Sequence, residues 1–150
     1  MHNRNEMNFI EFRNRFLSLV CFTTNQVYAS YPAFNRNNLG HWVRQGYLVR
    51  LRQGYYTFPE FRESTEFAFY FANIIYKPSY ISLHTALSFY GIIPEAVPEI
   101  NSVTTLKTIT FSNDFGEYSY KNIKPGMMFG YDLREMKGGR RIMFATPEKE

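Results

Sequence analysis

The spacing of apolar residues near the start of the chain predicts two helices. From residue 8 to residue 22 the large apolar side chains recur three or four positions apart, which is the period of a helix with one buried face. Thr23 or Thr24 can cap a second, shorter helix that runs through Tyr31, where Pro32 ends it. The first thirty or so residues are therefore expected to be mostly helical.

A third helix and a β-hairpin follow. Asn35 is a suitable N-cap for a helix that runs to Gln45, and Gly46 suits the position just after its end, where a positive φ is common. Residues 47–58 then alternate around Gln53-Gly54, as expected of two short strands joined by a tight turn. This order of helices followed by a β-ribbon is typical of a winged helix-turn-helix domain.

The rest of the chain changes from a helical pattern to a strand pattern. Residues 64–77 predict an apolar helix closed by Pro78, and a shorter helix is predicted from Ser82 to Gly91. Strands are then predicted at five β-branched and aromatic runs: 100–105, 108–112, 117–123, 127–133 and 141–146. The sequence therefore predicts the α+β class, with a winged helix-turn-helix domain over residues 1–62 and an α+β domain with a small antiparallel sheet over residues 63–150.

Charge is distributed unevenly between these two parts. Residues 1–62 contain eight arginines against three carboxylates, a net charge of +5, while residues 63–150 contain nine basic and ten acidic residues, a net charge of −1. No Asp or Glu occurs between Glu11 and Glu60, although six arginines lie in that segment. A solvated face normally mixes both signs, so the segment is typical of a surface that binds a polyanion.

The third helix carries the candidate DNA-reading surface. A helical wheel places Leu39, Trp42 and Val43 on a stripe that faces the core. The first turn and the opposite face are rich in hydrogen-bond donors: Arg36, Asn37, Asn38, His41 and Arg44. Asn pairs bidentately with adenine and Arg with guanine in the major groove. Gly40 weakens a helix by about 0.8–1 kcal/mol relative to alanine, a loss that is tolerated where bulk would obstruct a close approach.

The hairpin supplies a second candidate contact with DNA. Arg50 and Arg52 are two positions apart and are expected on one face of a strand, with Val49 and Leu51 on the other. Gln53 lies at the tip of the turn. Two arginines on one face of such a ribbon suit phosphates or the minor groove.

Two other interpretations of these patterns stay open. The arginines can form a merely solvated face, since an amphipathic helix followed by a hairpin is common. The aromatic residues of the second part either pack into a core or form an apolar patch for a protein partner. The residues in question are Phe67, Phe69, Tyr70, Phe71, Tyr76 and Tyr80.

Little in the sequence indicates catalysis, a metal or a cofactor, and we expect a protein that is not an enzyme. The three histidines are scattered and the single Cys21 cannot build a zinc site, so no cofactor or metal is expected. Asp114, Glu117 and Lys121 only loosely match a metal-dependent nuclease site, because Asn113-Asp114 fits a turn better. No apolar run approaches the roughly 20 residues that span a bilayer, and the lone cysteine suits a reducing cytoplasm.

Five quoted segments carry a further similarity: NRNNLGHWVRQGYLVRLRQGYYTFPE, YISLHTALSFYGIIPE, VTTLKTITF, GEYSYKNIKPGMMFGYDL and IMFATPEKE. Together they resemble the AbiEi family of type IV antitoxins and related transcriptional regulators. The resemblance runs from about Val27 to the end of the chain. Its more specific part is the second half, since the first half alone fits many families.

The resemblance implies a first domain that binds DNA and represses its own operon. It implies a second domain tied to antitoxin activity against a nucleotidyltransferase-like toxin, with no stable complex between the two proteins. The positions that match the family's DNA contacts are Arg36, Asn37, Asn38, His41, Arg44, Arg50 and Arg52. The family pattern continues past the ATPEK segment, so we expect the second domain to be incomplete here, and some relatives carry a nuclease-like second half instead. The operator sequence and the oligomeric state stay open.

Overall fold

The computed structural model describes residues 7–82, 84–85, 99–136 and 138–146. The chain divides into two compact units, Met1–Phe61 and Arg62–Glu150. Four α-helices and two β-sheets lie within the described residues, which confirms the α+β class. None of the helices described there is both long and apolar enough to cross a membrane.

The first unit combines three helices with a three-stranded antiparallel sheet. Its strands lie in the order β1-β3-β2, so the third strand in the chain is central. The elements in chain order are α1 (Phe9–Phe16), β1 (Cys21–Thr23), α2 (Thr24–Ser30), α3 (Asn37–Arg44), β2 (Val49–Arg52) and β3 (Tyr55–Thr57). The two-residue turn at Gln53-Gly54, where Gly54 has a φ of 86°, confirms the predicted hairpin.

The first predicted helix is wrong over its last part. Helix α1 ends at Phe16, a 3-10 turn spans Leu17–Leu19, and the chain then enters β1. Val20 has a φ of 69°, a left-handed value that a β-branched residue adopts only when its surroundings require it. The Val20 carbonyl accepts a hydrogen bond of 2.7 Å from the buried Thr57 hydroxyl. The apolar run therefore leaves the helix to pair with β3, which also buries Phe22.

The ends of α2 and α3 lie close to the predicted positions. The Thr23 hydroxyl accepts from the Gln26 N–H, and the Gln26 side chain accepts from the Thr23 N–H, which forms a capping box. Arg36, and not Asn35, occupies the N-cap position of α3. Asn35 instead supports the first turn, because its side-chain oxygen accepts from the Asn37 N–H at 3.0 Å.

Aromatic side chains form the core of the first unit. The Phe12 ring centroid lies 4.7 Å from that of Phe16, 5.2 Å from that of Phe22 and 4.9 Å from that of Trp42. All four side chains are buried. Ring pairs at such distances contribute about 0.5–1.5 kcal/mol each beyond the apolar area that they bury.

The second unit packs one helix on a six-stranded sheet. Its elements are α4 (Thr65–Ile74), β4 (Ser79–Ile81), β5 (Glu99–Thr104), β6 (Ile109–Asn113), β7 (Gly116–Asn122), β8 (Tyr131–Glu135) and β9 (Arg141–Ala145). The strands lie in the order β6-β7-β5-β4-β9-β8. The predicted antiparallel sheet is wrong in one respect, because β5 pairs with β7 and β4 pairs with β9 in parallel. In each parallel pair the two strands are not consecutive in the chain. The chain must cross the sheet between them before it returns in the same direction.

Hydrogen bonds as well as apolar packing hold α4 on this sheet. The hydroxyls of Tyr118 and Tyr120, both buried, donate to backbone carbonyls of α4 at 2.9 and 2.6 Å. The Asn73 side chain of α4 accepts from the Met143 N–H at 2.7 Å and donates to the Met143 carbonyl at 3.4 Å. Pairing of these buried polar groups avoids the penalty of about 1–3 kcal/mol for each that is left unsatisfied.

Core packing accounts for half of the aromatic residues considered as a protein-binding patch. Phe69, Phe71 and Tyr80 are buried, whereas Phe67, Tyr70 and Tyr76 are half-buried. Burial raises the pKa of Tyr80, whose hydroxyl donates to the Phe129 carbonyl at 3.0 Å. The alternative of one exposed patch made by all six residues is therefore wrong. The predicted helix from Ser82 to Gly91 lies mostly outside the described residues.

We predict that Phe12→Ala lowers the free energy of unfolding of the first unit by about 3–5 kcal/mol, because it removes the ring at the centre of the aromatic core. Ile10→Ala is the matched control on the same helix, since Ile10 is 71% exposed. Urea denaturation followed by Trp42 fluorescence measures both. Similar small losses for the two variants would contradict the central role of Phe12.

Candidate nucleic-acid interface

Helix α3 is divided into a buried face and a polar, exposed face. Leu39 and Trp42 are buried and Val43 packs beside them, as the helical wheel predicted. The residues predicted to read DNA lie on the other side, where Asn38 is half-buried and the rest are exposed: Arg36, Asn37, His41 and Arg44. The structure thus brings five of the eight predicted site residues together on one helix surface.

Trp42 fixes the orientation of this surface. Its indole lies 5.3 Å from the Phe9 ring, 4.9 Å from that of Phe12 and 6.0 Å from that of Phe34, measured between centroids. Helix α3 cannot rotate about its axis without withdrawing this ring from the core. The side chains opposite Trp42 are therefore held towards solvent by packing that they do not themselves make.

The helix ends abruptly after the exposed face. Gly46 has a φ of 80°, and the N–H groups of Tyr47 and Leu48 both donate to the Trp42 carbonyl, at 2.9 and 3.3 Å. A left-handed residue at this position is the common way to reverse the chain after a helix. The reversal leads directly into β2, so the polar face of α3 and the hairpin are joined by a short, hydrogen-bonded link.

Gly40, which is half-buried, flanks the exposed face of α3. A methyl group built at Gly40 would meet only the Nη1 atom of Arg44, at 3.5 Å, which is an ordinary contact. Packing among the described residues therefore gives no reason for a glycine at this position. The absence of a side chain at this position is explained if another molecule approaches the helix closely.

The hairpin shows the predicted alternation in burial, since Val49 and Leu51 are buried while Arg50 is exposed and Arg52 is half-buried. A β-bulge lies between Arg50 and Arg52, so Arg50 pairs with Tyr56 and Arg52 with Tyr55. The bulge shifts the pairing register but keeps this alternation, so the two arginines lie on the less buried side of β2, as predicted. The Arg50 guanidinium lies 5.8 Å from the Tyr56 ring centroid, and that of Arg52 lies 5.5 Å from the Tyr55 centroid.

The sequence analysis did not predict that Tyr55 and Tyr56 contact the two arginines. Each holds one arginine of the hairpin by a cation–π contact, which is worth about 0.5–1 kcal/mol at an exposed site. The signal was present in the sequence, since a two-residue turn at Gln53-Gly54 places Arg52 opposite Tyr55. The bulge that shifts Arg50 to Tyr56 has no such signal. Gln53 is exposed at the tip of the turn, as predicted.

Ion pairing distinguishes the arginines of the acid-free segment. Arg13 of α1 pairs with Glu60, the acid that ends the segment. Arg36, Arg44 and Arg50 have no carboxylate within salt-bridge distance among the described residues. Their charges are therefore available to an external anion, whereas the charge of Arg13 is balanced within the unit.

The acidic residues considered for a nuclease site have other surroundings. Asp114 forms an ion pair with Arg62 at 2.5 Å, and the Asn113 side chain accepts from the Phe115 N–H at 2.8 Å. This geometry confirms the predicted turn. Over the described ranges, no three His, Cys, Asp or Glu side chains come together in a set that could bind a metal ion.

Comparison of the sequence with family models and curated proteins finds no match. No protein-family model matches the chain, and a search of curated proteins finds no relative. The similarity to AbiEi antitoxins therefore stays a prediction that rests on the quoted segments.

Proposed function

We propose that this protein binds duplex DNA sequence-specifically through a winged helix-turn-helix domain in its first unit, with α3 as the recognition helix and the β2–β3 hairpin as the wing. One observation carries the proposal. A donor-rich, exposed helix face lies opposite a buried tryptophan, and its arginines have no carboxylate partner among the described residues. Such a face can enter the major groove, which is wide enough to admit a helix.

The order of elements supports this assignment. The first unit runs α1-β1-α2-α3-β2-β3, and β1 joins the hairpin as a third strand. A strand between the first two helices that pairs with the wing is what a winged helix-turn-helix requires beyond the bare helical motif. Strand β1 was not predicted from the sequence, so it is independent support for the winged helix-turn-helix proposal.

Each part of the surface suits a different component of DNA. Asn37, Asn38 and Arg44 carry the bidentate groups that pair with adenine and guanine edges, and His41 can donate beside them. Arg50 and Arg52 on the hairpin suit phosphates or the minor groove, because their guanidinium groups are held on tyrosine rings. Arg36, at the N-cap position of α3, suits either a base edge or a phosphate.

The biological setting of this binding follows from the AbiEi resemblance. The protein then represses its own operon and opposes a nucleotidyltransferase-like toxin without a stable complex, and it acts in the cytoplasm. The second unit is the part to which the resemblance assigns antitoxin activity. A cellular test is direct: expression of the chain should repress a reporter placed behind the DNA upstream of its own gene.

We predict that Arg44→Ala weakens binding to the upstream DNA by about 1–3 kcal/mol and relaxes the preference at one base pair, since it removes a contact to a base edge. Fluorescence anisotropy against the upstream duplex and a scrambled duplex measures the change. Equal losses on the two duplexes would contradict base reading by Arg44. Arg13→Ala is the control, because Arg13 is paired with Glu60.

Arg50→Ala should act differently from Arg44→Ala. We predict equal weakening on all duplexes, with the slope of log K against log salt reduced by about one unit, because a phosphate contact releases counterions. The same titrations, repeated over a salt series, give this slope. An unchanged slope would show that Arg50 does not contact a phosphate.

Gly40→Ala should separate stability from binding. We predict that it raises the free energy of unfolding by about 0.8–1 kcal/mol, since the new methyl group meets no close neighbour, yet weakens DNA binding. Gly46→Ala is the opposite control: its φ of 80° makes the substitution destabilising without a direct effect on DNA contacts. Urea denaturation and anisotropy measure the two quantities, and undiminished binding by Gly40→Ala would rule out close approach of DNA to α3.

A further inference from the structure

An exposed apolar strip runs along one end of the second unit. Four alternate residues, Met127, Phe129, Tyr131 and Leu133, are each 43–58% exposed. The last two belong to β8, which is the edge strand of the six-stranded sheet and is exposed at all five positions. The other edge strand, β6, differs because its Phe111 ring packs against Tyr76 and Tyr120. Strand β8 is therefore the edge of the sheet to which a further strand can pair.

The hydrogen bonds between β8 and β9 show which backbone groups of β8 face outwards. Thr146 N–H donates to the Gly130 carbonyl, and Met136 N–H donates to the Arg140 carbonyl, both at 2.7 Å. Backbone groups that point towards a neighbour alternate along an antiparallel strand. Even-numbered residues of β8 thus point towards β9, and the backbone groups of Tyr131, Leu133 and Glu135 are directed to the open edge. The Leu133 N–H there donates to the Asp132 carboxylate at 2.9 Å.

We propose that β8 pairs with β8 of a second copy of this chain, antiparallel and centred on Leu133. This register places Leu133 opposite Leu133 and Tyr131 opposite Glu135 of the second copy. These are the residues whose backbone groups are directed outwards. The Tyr131–Glu135 pairs exchange both backbone hydrogen bonds, and the Leu133 pair does so when its N–H groups release the Asp132 carboxylates, which then face Arg134 of the second copy. The pairing extends two six-stranded sheets into one continuous sheet with a two-fold axis at Leu133.

Charge selects this register over its neighbours. With the axis at Leu133, Asp132 lies opposite Arg134 of the second copy and Arg134 lies opposite Asp132, in the closely spaced pairs that lack backbone hydrogen bonds. An axis at Asp132 would oppose two aspartates, and an axis at Arg134 would oppose two arginines. Charges of one sign would protect the edge from pairing, whereas the Asp-Leu-Arg order makes it self-complementary.

The apolar strip adds to the pairing. Leu133 and Tyr131 lie on one face of the joined sheet, on the opposite side from Asp132 and Arg134. The Tyr131 ring already packs on that of Tyr80, with centroids 5.3 Å apart, so it is ordered before a partner arrives. Because only five residues pair from each copy, the dimer is expected to form at micromolar or higher concentrations and not to be obligate.

The test is a charge swap, read by sedimentation velocity of the full chain from about 1 to 200 µM. Asp132→Arg and Arg134→Asp should each raise the dimer dissociation constant about tenfold or more, because each opposes like charges at two positions. The double variant D132R/R134D should restore association. An equimolar mixture of the two single variants should form a heterodimer more tightly than either variant associates alone.

Two further variants test whether β8 in particular mediates association. Thr110→Arg places a charge on the opposite edge strand and should leave association unchanged, while Leu133→Lys should abolish it. Thermal denaturation checks that each variant is folded. A chain that stays monomeric at 200 µM overturns the proposal. A dimer that is unaffected by Asp132→Arg and Leu133→Lys overturns it too, because another surface then mediates association. Neither outcome bears on DNA binding by the first unit.

Discussion

The burial of Trp42 is the constraint on which the candidate site depends. Helix α3 has only eight residues, too few to be stable by itself, so its position and rotation are set by packing. The indole contacts rings from α1 and from the segment before α3. Once that ring is buried, the donor-rich side chains have only one direction left, towards solvent. The polar face is thus a consequence of the aromatic core.

In the second unit, hydrogen bonds as well as apolar packing set the position of the helix. Its helix is attached to the sheet partly by tyrosine hydroxyls and by one buried asparagine, whose geometry is far more directional than apolar contact. Such bonds fix the register of α4 against β7 and β9. Because α4 covers the middle of the sheet, the edge at β8 is left without cover from the helix, and its surface properties are decided by its own sequence.

Local patterns predicted much of this fold, and long-range pairing explains most of what they missed. The capping box at Thr23, the turn at Gln53-Gly54 and the buried stripe of α3 all depend on neighbours within a few residues. The strand at Cys21–Thr23 was missed because its apolar run fits a helical period as well as a strand, and only pairing with Tyr55–Thr57 decides between them. The parallel strand pairs and the bulge before Arg52 likewise depend on partners distant in the chain or on strand twist.

The candidate site was predictable to the same degree. A wheel drawn on the sequence placed Asn37, His41 and Arg44 on the exposed face of α3, because that face follows from helical geometry alone. The helical wheel could not show which arginines have a carboxylate partner in the folded chain. Arg13 and Arg44 belong to the same acid-free segment, yet one is paired with Glu60 across 47 positions of the chain and the other has no carboxylate near it among the described residues.

Neighbouring carboxylates therefore decide what each arginine of this chain can do. Where the fold supplies one, as for Arg13 and Arg62, the pair is an exposed contact worth about 0–1 kcal/mol and contributes little beyond local order. On α3 no carboxylate lies within salt-bridge distance of Arg36 or Arg44 among the described residues, so their positive charge is available to an external anion. On β8 the carboxylate stands two positions away on the same strand face, and a second copy of the strand can bring the two charges opposite each other. The roles that we propose for the arginines, namely internal pairing, polyanion binding and self-association, thus differ according to where the nearest acid lies.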